Sequence, residues 1–166
     1  MTTKPNALPW LLLSVLVIAL DQLSKWWVLA TLSEGVPHPV IPGFLNWTLA
    51  FNPGAAFSFL AMGNGWQRWF FVALALIVSV VLVVWLARTA RRDWRTALPL
   101  SLIIGGAIGN LVDRLHAAAV TDFVDVQFGA WHFATFNLAD CGVSVGAVML
   151  VAFGLFSGRG AGSDVR

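Results

Sequence analysis

Charged side chains are scarce in this chain of 166 residues, in which Asp, Glu, Lys and Arg together make up only 11%. Ordinary soluble domains carry about 25% charged residues, so the composition excludes a water-soluble domain. The single cysteine, Cys141, excludes an intrachain disulfide, and His38, His116 and His132 lack the spacing of zinc ligands. Ten basic against eight acidic residues give little reason to expect nucleic-acid binding. We therefore expect no metal, no cofactor and no nucleic-acid partner.

Hydrophobic residues, by contrast, make up 58% of the chain, and the mean hydropathy is +0.80. Four apolar runs approach the roughly 20 residues that a helix needs to cross a bilayer. The nine tryptophans fall largely near the ends of these runs, where an amphipathic ring suits the membrane interface. The sequence therefore predicts a mainly α, polytopic membrane protein with a single domain over residues 1–166. The predicted spans are residues 8–31, 69–87, 96–115 and 138–156.

The basic residues near the span ends are concentrated on one side of the predicted membrane. Four spans put both termini on the same side, and the side rich in Lys and Arg is the cytoplasmic one. We therefore expect cytoplasmic termini and outward-facing segments over residues 32–66 and 116–136. The basic residues assigned to the cytoplasmic side are Lys4, Arg88, Arg91, Arg92, Arg95, Arg159 and Arg166.

The first outward-facing segment contains an alternating pattern. Residues 44–52 read FLNWTLAFN, in which apolar and polar side chains alternate with the period of a β-strand. This pattern predicts a small sheet on the outer face of the membrane, together with a short outer helix or loop. Asn52 ends the pattern and opens an NPG turn, so we expect its amide to donate a hydrogen bond to substrate backbone.

Several polar and ionisable residues lie inside the predicted spans, where a charged side chain costs roughly 2.5 to 3.5 kcal/mol on insertion scales. Asp21 and Lys25 are four residues apart, so they share a helix face. We expect a salt bridge between them, with direct contact to substrate or lipid as the alternative. Asn110, Asp113 and Arg114 also share a face, near the outer end of the third span. For Asp113 and Arg114 we expect an internal network that fixes helix packing.

Two further aspartates are predicted to lie at one depth. Asp122 follows the third span in an outer loop, and Asp140 opens the fourth span, which starts from the same face. Their carboxylates can therefore meet, and Asn137 points the same way as Asp140 if its turn is helical. Taken singly, Asp140 is equally well read as a helix-capping acid and Asp122 as an exposed loop acid. Asp125 competes with Asp122, although in an extended segment the two point to opposite faces.

Five blocks of sequence carry these residues. They are DQLSK at residues 21–25, NPGAAFSF at 52–59, GNLVDR at 109–114, VTDF at 120–123 and FNLADCGVSVG at 136–146. In this order and with these gaps, the blocks resemble those of the bacterial lipoprotein signal peptidases, the type II signal peptidases, over nearly the whole chain. One residue departs from the family pattern: Ala118 stands four residues before Asp122, where the family usually has glycine.

The resemblance implies an aspartyl endopeptidase of the bacterial inner membrane, with Asp122 and Asp140 as a catalytic dyad near the outer, periplasmic face. The implied reaction removes the signal peptide from a prolipoprotein by cutting just before a cysteine that bears a diacylglyceryl group. The implied partners are this substrate and membrane lipids, and the chain is expected to act as a monomer without metal or cofactor. The residues implied to support the site or the substrate are Asn52, Asn110, Asp113, Arg114, Asn137, Asp21 and Lys25.

Two other classes of protein remain open from the residues alone. One is a small transporter or proton-conducting bundle in which Asp21, Asp113 and Asp140 relay protons. The centre of the second span and the cytoplasmic halves of the third and fourth contain no ionisable residue, which argues against a continuous relay. The other is a non-catalytic assembly factor in which the acids only hold the helices together.

Overall fold

Four helices form the body of the protein. The computed structural model describes residues 5–54, 65–129 and 131–157, so Lys4, Arg159, Arg166 and residues 55–59 of the second sequence block lie outside the described residues. Within these ranges, four helices are long and apolar enough to cross a membrane, which confirms the predicted polytopic fold. A short 3-10 turn over Leu8–Trp10 precedes the first of them. The helices are α1 (Leu11–Thr31), α2 (Trp66–Arg88), α3 (Trp94–Ala117) and α4 (Leu138–Ser157).

A four-stranded antiparallel sheet is built from the two segments that connect α1 to α2 and α3 to α4. Its order is β1-β2-β3-β4, and β2 confirms the strand predicted from the alternating pattern. The prediction of an outer loop around Asp122 is wrong, because this aspartate lies in β3. Strand β3 pairs with both β2 and β4, and its first four residues are buried on both faces, so apolar and polar residues do not alternate there. The strands are β1 (His38–Ile41), β2 (Leu45–Asn52), β3 (Val120–Phe128) and β4 (Trp131–Phe136).

Helix α3 lies at the centre and contacts each of the other three helices. About 61% of its membrane-spanning stretch is buried inside the protein, against 22% or less for the others. Glycines allow this close packing, as their spacing indicates. A Cβ added at Gly105 would lie 2.7 Å from Cβ of Val17 in α1, and one at Gly106 would collide with the carbonyl oxygen of Ala139 in α4.

Ala118 ends α3 in a left-handed conformation, with φ 61° and ψ −4°. No other non-glycine residue in the described part of the chain has a positive φ. The backbone conformation at Ala118 is therefore one that favours glycine. This fits the glycine expected there from the resemblance, although this chain has an alanine with its Cβ. This turn leads the chain from α3 directly into β3, and so it sets the position of Asp122 within that strand.

Replacing Ala118 by Gly should stabilise the protein. An L-residue in the left-handed region costs about 1 kcal/mol or more, so we expect Ala118→Gly to raise the free energy of unfolding by about 1 kcal/mol. Denaturant unfolding of the purified protein in detergent measures the change. The matched control is Ala117→Gly, at the last helical residue, which should lower the same free energy by about 0.5 to 1 kcal/mol. An Ala118→Gly variant less stable than the parent would contradict this account.

Candidate active site

A buried lysine links two helices near the C-terminal end of α3. Nζ of Lys25 in α1 lies 2.7 Å from Oδ2 of Asp21 and 2.9 Å from Oδ2 of Asp113 in α3. The predicted Asp21–Lys25 salt bridge is therefore confirmed, and Asp113 is a second carboxylate on the same ammonium. All three side chains are buried, at 0 to 7% exposure. A buried charge is tolerated only when it is paired and hydrogen-bonded, and here each partner meets both conditions.

Asp113 lies in an internal network that joins helices, as expected, but its side chain does not pair with Arg114. Asp113 accepts hydrogen bonds from the side chain of Gln22 (2.9 Å) and the backbone N–H of Thr121 (3.0 Å), besides its contact with Lys25. The Arg114 guanidinium lies over the ring of Phe71, 5.0 Å from its centroid. Consecutive residues project about 100° apart around a helix, so the two side chains point to different neighbours.

Asn110 connects the buried lysine to Asp140. Its Oδ1 accepts a hydrogen bond from Nζ of Lys25 (3.1 Å), and its Nδ2 donates one to Oδ1 of Asp140 (2.7 Å). Because the cation fixes which end of the amide faces Lys25, the donating end is left for the carboxylate. The side-chain amide of Asn110 therefore has one fixed orientation, and its two hydrogen bonds connect α1 to the start of α4.

Asp140 and Asn137 bond to each other at the start of α4. Oδ1 of Asn137 accepts from the backbone N–H of Asp140 (2.9 Å), and Oδ2 of Asp140 accepts from the backbone N–H of Asn137 (3.2 Å). This reciprocal pair is a capping box, which satisfies two free N–H groups at the helix start. The capping role considered for Asp140 is therefore real, but it occupies only one carboxylate oxygen. The other oxygen takes the bond from Asn110, and the side chain remains half-buried.

Asp122 lies deeper, at 2% exposure in the central strand β3. Its Oδ1 accepts a hydrogen bond of 2.6 Å from Nδ2 of Asn137, and its Oδ2 accepts one of 3.1 Å from Nδ2 of Asn52. The hydrogen bond expected from Asn52 to substrate backbone stays a prediction; within the protein its Nδ2 donates to Asp122 and its Oδ1 accepts from the N–H of Gly54 (2.9 Å).

Asn137 connects the two aspartates: its side chain donates to the carboxylate of Asp122 and accepts from the backbone N–H of Asp140, and its own backbone N–H donates to the carboxylate of Asp140. Burial, and then the negative charge of Asp140, raise the pKa of Asp122 from the usual 3.8 to about 6. The hydrogen bonds from Asn52 and Asn137 and the charge of Lys25 act in the opposite direction and only partly offset this increase. Asp122 therefore binds a proton more tightly than an ordinary aspartate.

Asp125 does not compete for this position. It accepts hydrogen bonds from Asn46 (3.3 Å) and Thr48 (2.8 Å), and its Oδ1 lies 2.7 Å from Nε2 of His132. Asp125 is three residues beyond Asp122 in an extended strand, so it points to the other face of the sheet, as the spacing indicates.

Comparison with known proteins identifies the family. The profile of the family described as Signal peptidase (SPase) II matches residues 13–156, which is most of the chain. The chain belongs to the signal peptidase II family. It is therefore a peptidase, and its apolar helices make it a multi-pass membrane protein.

Relatives in this family match over most of their length. A lipoprotein signal peptidase of Xanthomonas axonopodis pv. citri (strain 306) is 55% identical over 153 residues, which cover 92% of this chain and 89% of the relative. One of Xylella fastidiosa (strain M12) is 52% identical over 157 residues, covering 95% and 94%. A bacterial membrane enzyme solved by the in meso method at 2.3 Å superposes with a TM-score of 0.82 at 29% identity, covering 100% of this chain and 98% of that one.

Two features of this signal peptidase II chain were missed by sequence reasoning. Gln22 donates to Asp21, to Asp113 and to the carbonyl oxygen of Gly109, and its only sequence signal is its place inside the DQLSK block. Residues 142–146 read G-V-S-V-G, the pattern of a hydrolase nucleophile elbow. The segment lies inside α4 rather than at a strand-to-helix turn, and a Cβ at Gly146 would lie 2.7 Å from the Pro99 carbonyl oxygen of α3. These glycines therefore serve helix packing.

Removing the buried ammonium should destabilise the fold strongly. Lys25→Met leaves the carboxylates of Asp21 and Asp113 buried without a counterion, so we expect the free energy of unfolding in detergent to fall by about 3 to 5 kcal/mol. Adding Asp113→Asn to this variant should recover part of the loss, because one of the two uncompensated charges is removed. Arg88→Met, which removes an exposed cation, is the control and should change little. Equal stabilities of Lys25→Met and the parent would refute the structural role.

Proposed function

We propose that this chain is an aspartyl endopeptidase that removes signal peptides from diacylglyceryl-modified bacterial prolipoproteins, cutting before the lipidated cysteine. The relatives named above are lipoprotein signal peptidases, which supports this substrate. The observation that carries the proposed mechanism is Asn137, whose side chain donates to the carboxylate of Asp122 and whose backbone N–H donates to the carboxylate of Asp140. Two carboxylates in one site hold a proton between them, and that state supplies an acid and a base together.

The environments of the two acids suggest their roles. Asp122, with its raised pKa, holds the shared proton and donates it toward the scissile carbonyl oxygen. Asp140, half-buried and held by Asn110, takes a proton from the attacking water. The tetrahedral intermediate then collapses as Asp140 returns its proton to the leaving amine nitrogen and Asp122 recovers its own. The supporting roles of Asn52, Asn110 and Asn137 in this scheme are to orient and hold the two carboxylates.

The proposed setting is the bacterial inner membrane, with a single monomeric domain and the site near the periplasmic face. The basic loop over residues 88–95 precedes α3, whereas Asp113 and the turn to Asp122 lie at its other end. The positive-inside rule therefore supports cytoplasmic termini. A reporter fused after Arg166 should be read as cytoplasmic, and a periplasmic readout would overturn the orientation.

The relay through Asp21, Asp113 and Asp140 receives no support from the contacts. Asp21 and Asp113 are both bound to Lys25, and each is buried. Both carboxylates therefore serve as counterions of the same buried ammonium. The buried network is better explained as support for the two acids of the proposed dyad.

Replacing either acid of the dyad by its amide should abolish cleavage. For Asp122→Asn and Asp140→Asn we expect a loss of kcat of at least about a thousandfold, because the amide can neither hold the shared proton nor accept one from water. The measurement is cleavage of a diacylated prolipoprotein peptide by purified protein. Asp125→Asn, on the opposite sheet face, is the matched control and should keep cleaving.

Folding of the inactive variant can be checked separately. The folded-state pKa of Asp122 lies above its unfolded value, so the parent loses stability as pH rises from about 4 to about 6. Asp122→Asn lacks this ionisation and should be at least as stable as the parent at neutral pH. Cleavage retained in a folded Asp122→Asn protein would remove Asp122 from the proposed dyad.

The pH profile tests the proposed assignment of the proton. If the singly protonated pair is the active form, kcat/KM should decline as pH rises through about 6, where Asp122 ionises in the free enzyme. Asn52 donates a hydrogen bond that lowers this pKa, so in Asn52→Ala the declining limb should move to higher pH. A kcat/KM that increases through pH 6 would instead make Asp122 the base.

A further inference from the structure

Two apolar grooves flank Trp85, where α2 leads into the basic loop over residues 88–95. The first groove follows α2, has a volume of about 390 Å³, and is lined by Trp85 and three valines of that helix. The second also has a volume of about 390 Å³ and extends from Trp85 over the first turn of α3 to Leu150 and Phe153 of α4. Trp85 is therefore a wall that the two grooves share.

An arginine lies at the loop end of each groove, Arg88 in the first and Arg95 in the second. Both side chains are exposed. The loop over residues 88–95 contains four arginines against one acid, Asp93. Asp93 lines the second groove, and its Oδ1 accepts the backbone N–H of Thr96 (3.3 Å), so it caps α3. The grooves therefore combine apolar walls with a surplus of positive charge at one end.

We propose that the two grooves bind one anionic phospholipid from the leaflet at this end of the helix bundle. Its phosphate contacts Arg88 and Arg95, and one acyl chain lies in each groove, on either side of Trp85. Guanidinium groups match phosphate oxygens with paired N–H donors, and basic pockets between membrane helices suit anionic head groups. An indole ring suits the boundary between head groups and acyl chains. This lipid site lies at the opposite end of α3 from Asp113, so it is separate from the proposed dyad.

A lipid with two chains and a net negative head group fits the grooves better than other ligands. A soluble anion would leave the apolar walls without a partner. A zwitterionic lipid also carries a phosphate, but the surplus of arginines repels its ammonium group. Two chains on one head group match two grooves that share one wall, and each arginine lies where such a chain would meet its head group.

A lipid held in both grooves would connect α2 to α4. These two helices are the least buried of the four candidate spans in the described part of the chain, with 17% and 11% of their membrane-spanning stretches buried inside the protein. A ligand that binds only the folded state stabilises that state. We therefore expect phosphatidylglycerol to raise the Tm of delipidated protein in detergent more than phosphatidylcholine with the same acyl chains does.

Paired variants separate a binding site from diffuse attraction to the loop. Arg88→Gln/Arg95→Gln should raise the Kd for dioleoyl phosphatidylglycerol at least about tenfold, measured by native mass spectrometry of delipidated protein in detergent. Arg91→Gln/Arg92→Gln removes the same charge from the same loop, but these arginines line a different cavity, beside Pro5. This control should change the Kd less than about twofold. Equal losses of affinity in the two double variants would overturn the inference.

The parent protein alone gives a second test, which does not depend on how a variant folds. Dioleoyl phosphatidylglycerol with a photoreactive diazirine on one chain should label residues 80–85 or 150–154. Unlabelled phosphatidylglycerol should compete, whereas phosphatidylcholine and glycerol 3-phosphate should not. Labelling spread evenly over the lipid-facing helices would overturn the inference. Competition by phosphatidylcholine at equal concentration would also overturn it, and displacement by glycerol 3-phosphate would show a site for a soluble anion instead.

Discussion

The ammonium of Lys25 is the fixed point from which the polar interior of this protein is organised. A charged side chain inside a membrane span must find counterions, and Lys25 finds two carboxylates on two helices. Asp21 then uses its other oxygen to accept the backbone N–H of Ala139 at the start of α4 (2.9 Å). Gly109 leaves room for this, since a Cβ there would lie 2.8 Å from Oδ2 of Asp21. Three helices are thereby held at one depth by a single cation and its partners.

The orientation of the side-chain amides follows from that cation. Asn110 turns its oxygen to Lys25 and therefore its nitrogen to Asp140, and Asn137 donates to the oxygen of Asn110 (3.1 Å) as well as to Asp122. In this arrangement each N–H donor faces an oxygen acceptor. If either asparagine amide were flipped, its oxygen would face another oxygen. Satisfied networks of this kind hold their groups rigidly, so the carboxylates are oriented before any substrate arrives.

The sequence predicted contacts between residues close together in the chain well, and contacts between distant residues poorly. Hydropathy locates the spans, and helical spacing pairs Asp21 with Lys25 and Asn137 with Asp140, because these relations lie within one or two turns. The second partner of Lys25 is Asp113, 88 positions away in another helix, and periodicity within a helix cannot say which neighbour it faces. For the same reason the sequence does not show that Asn52 contacts Asp122, its partner across a strand pair.

The mechanism we propose needs one acid that water reaches and one that is shielded from it, and the unequal burial of Asp122 and Asp140 fits this need. Asp122 lies in the inner strand β3, where it pairs with Ala50 of β2 and its 2% exposure keeps solvent from its carboxylate. Asp140 begins a helix beside an open cavity and is only half-buried. Desolvation raises the pKa of Asp122 and so favours its protonated form. The meeting of a strand and a helix start therefore makes two chemically identical side chains unequal.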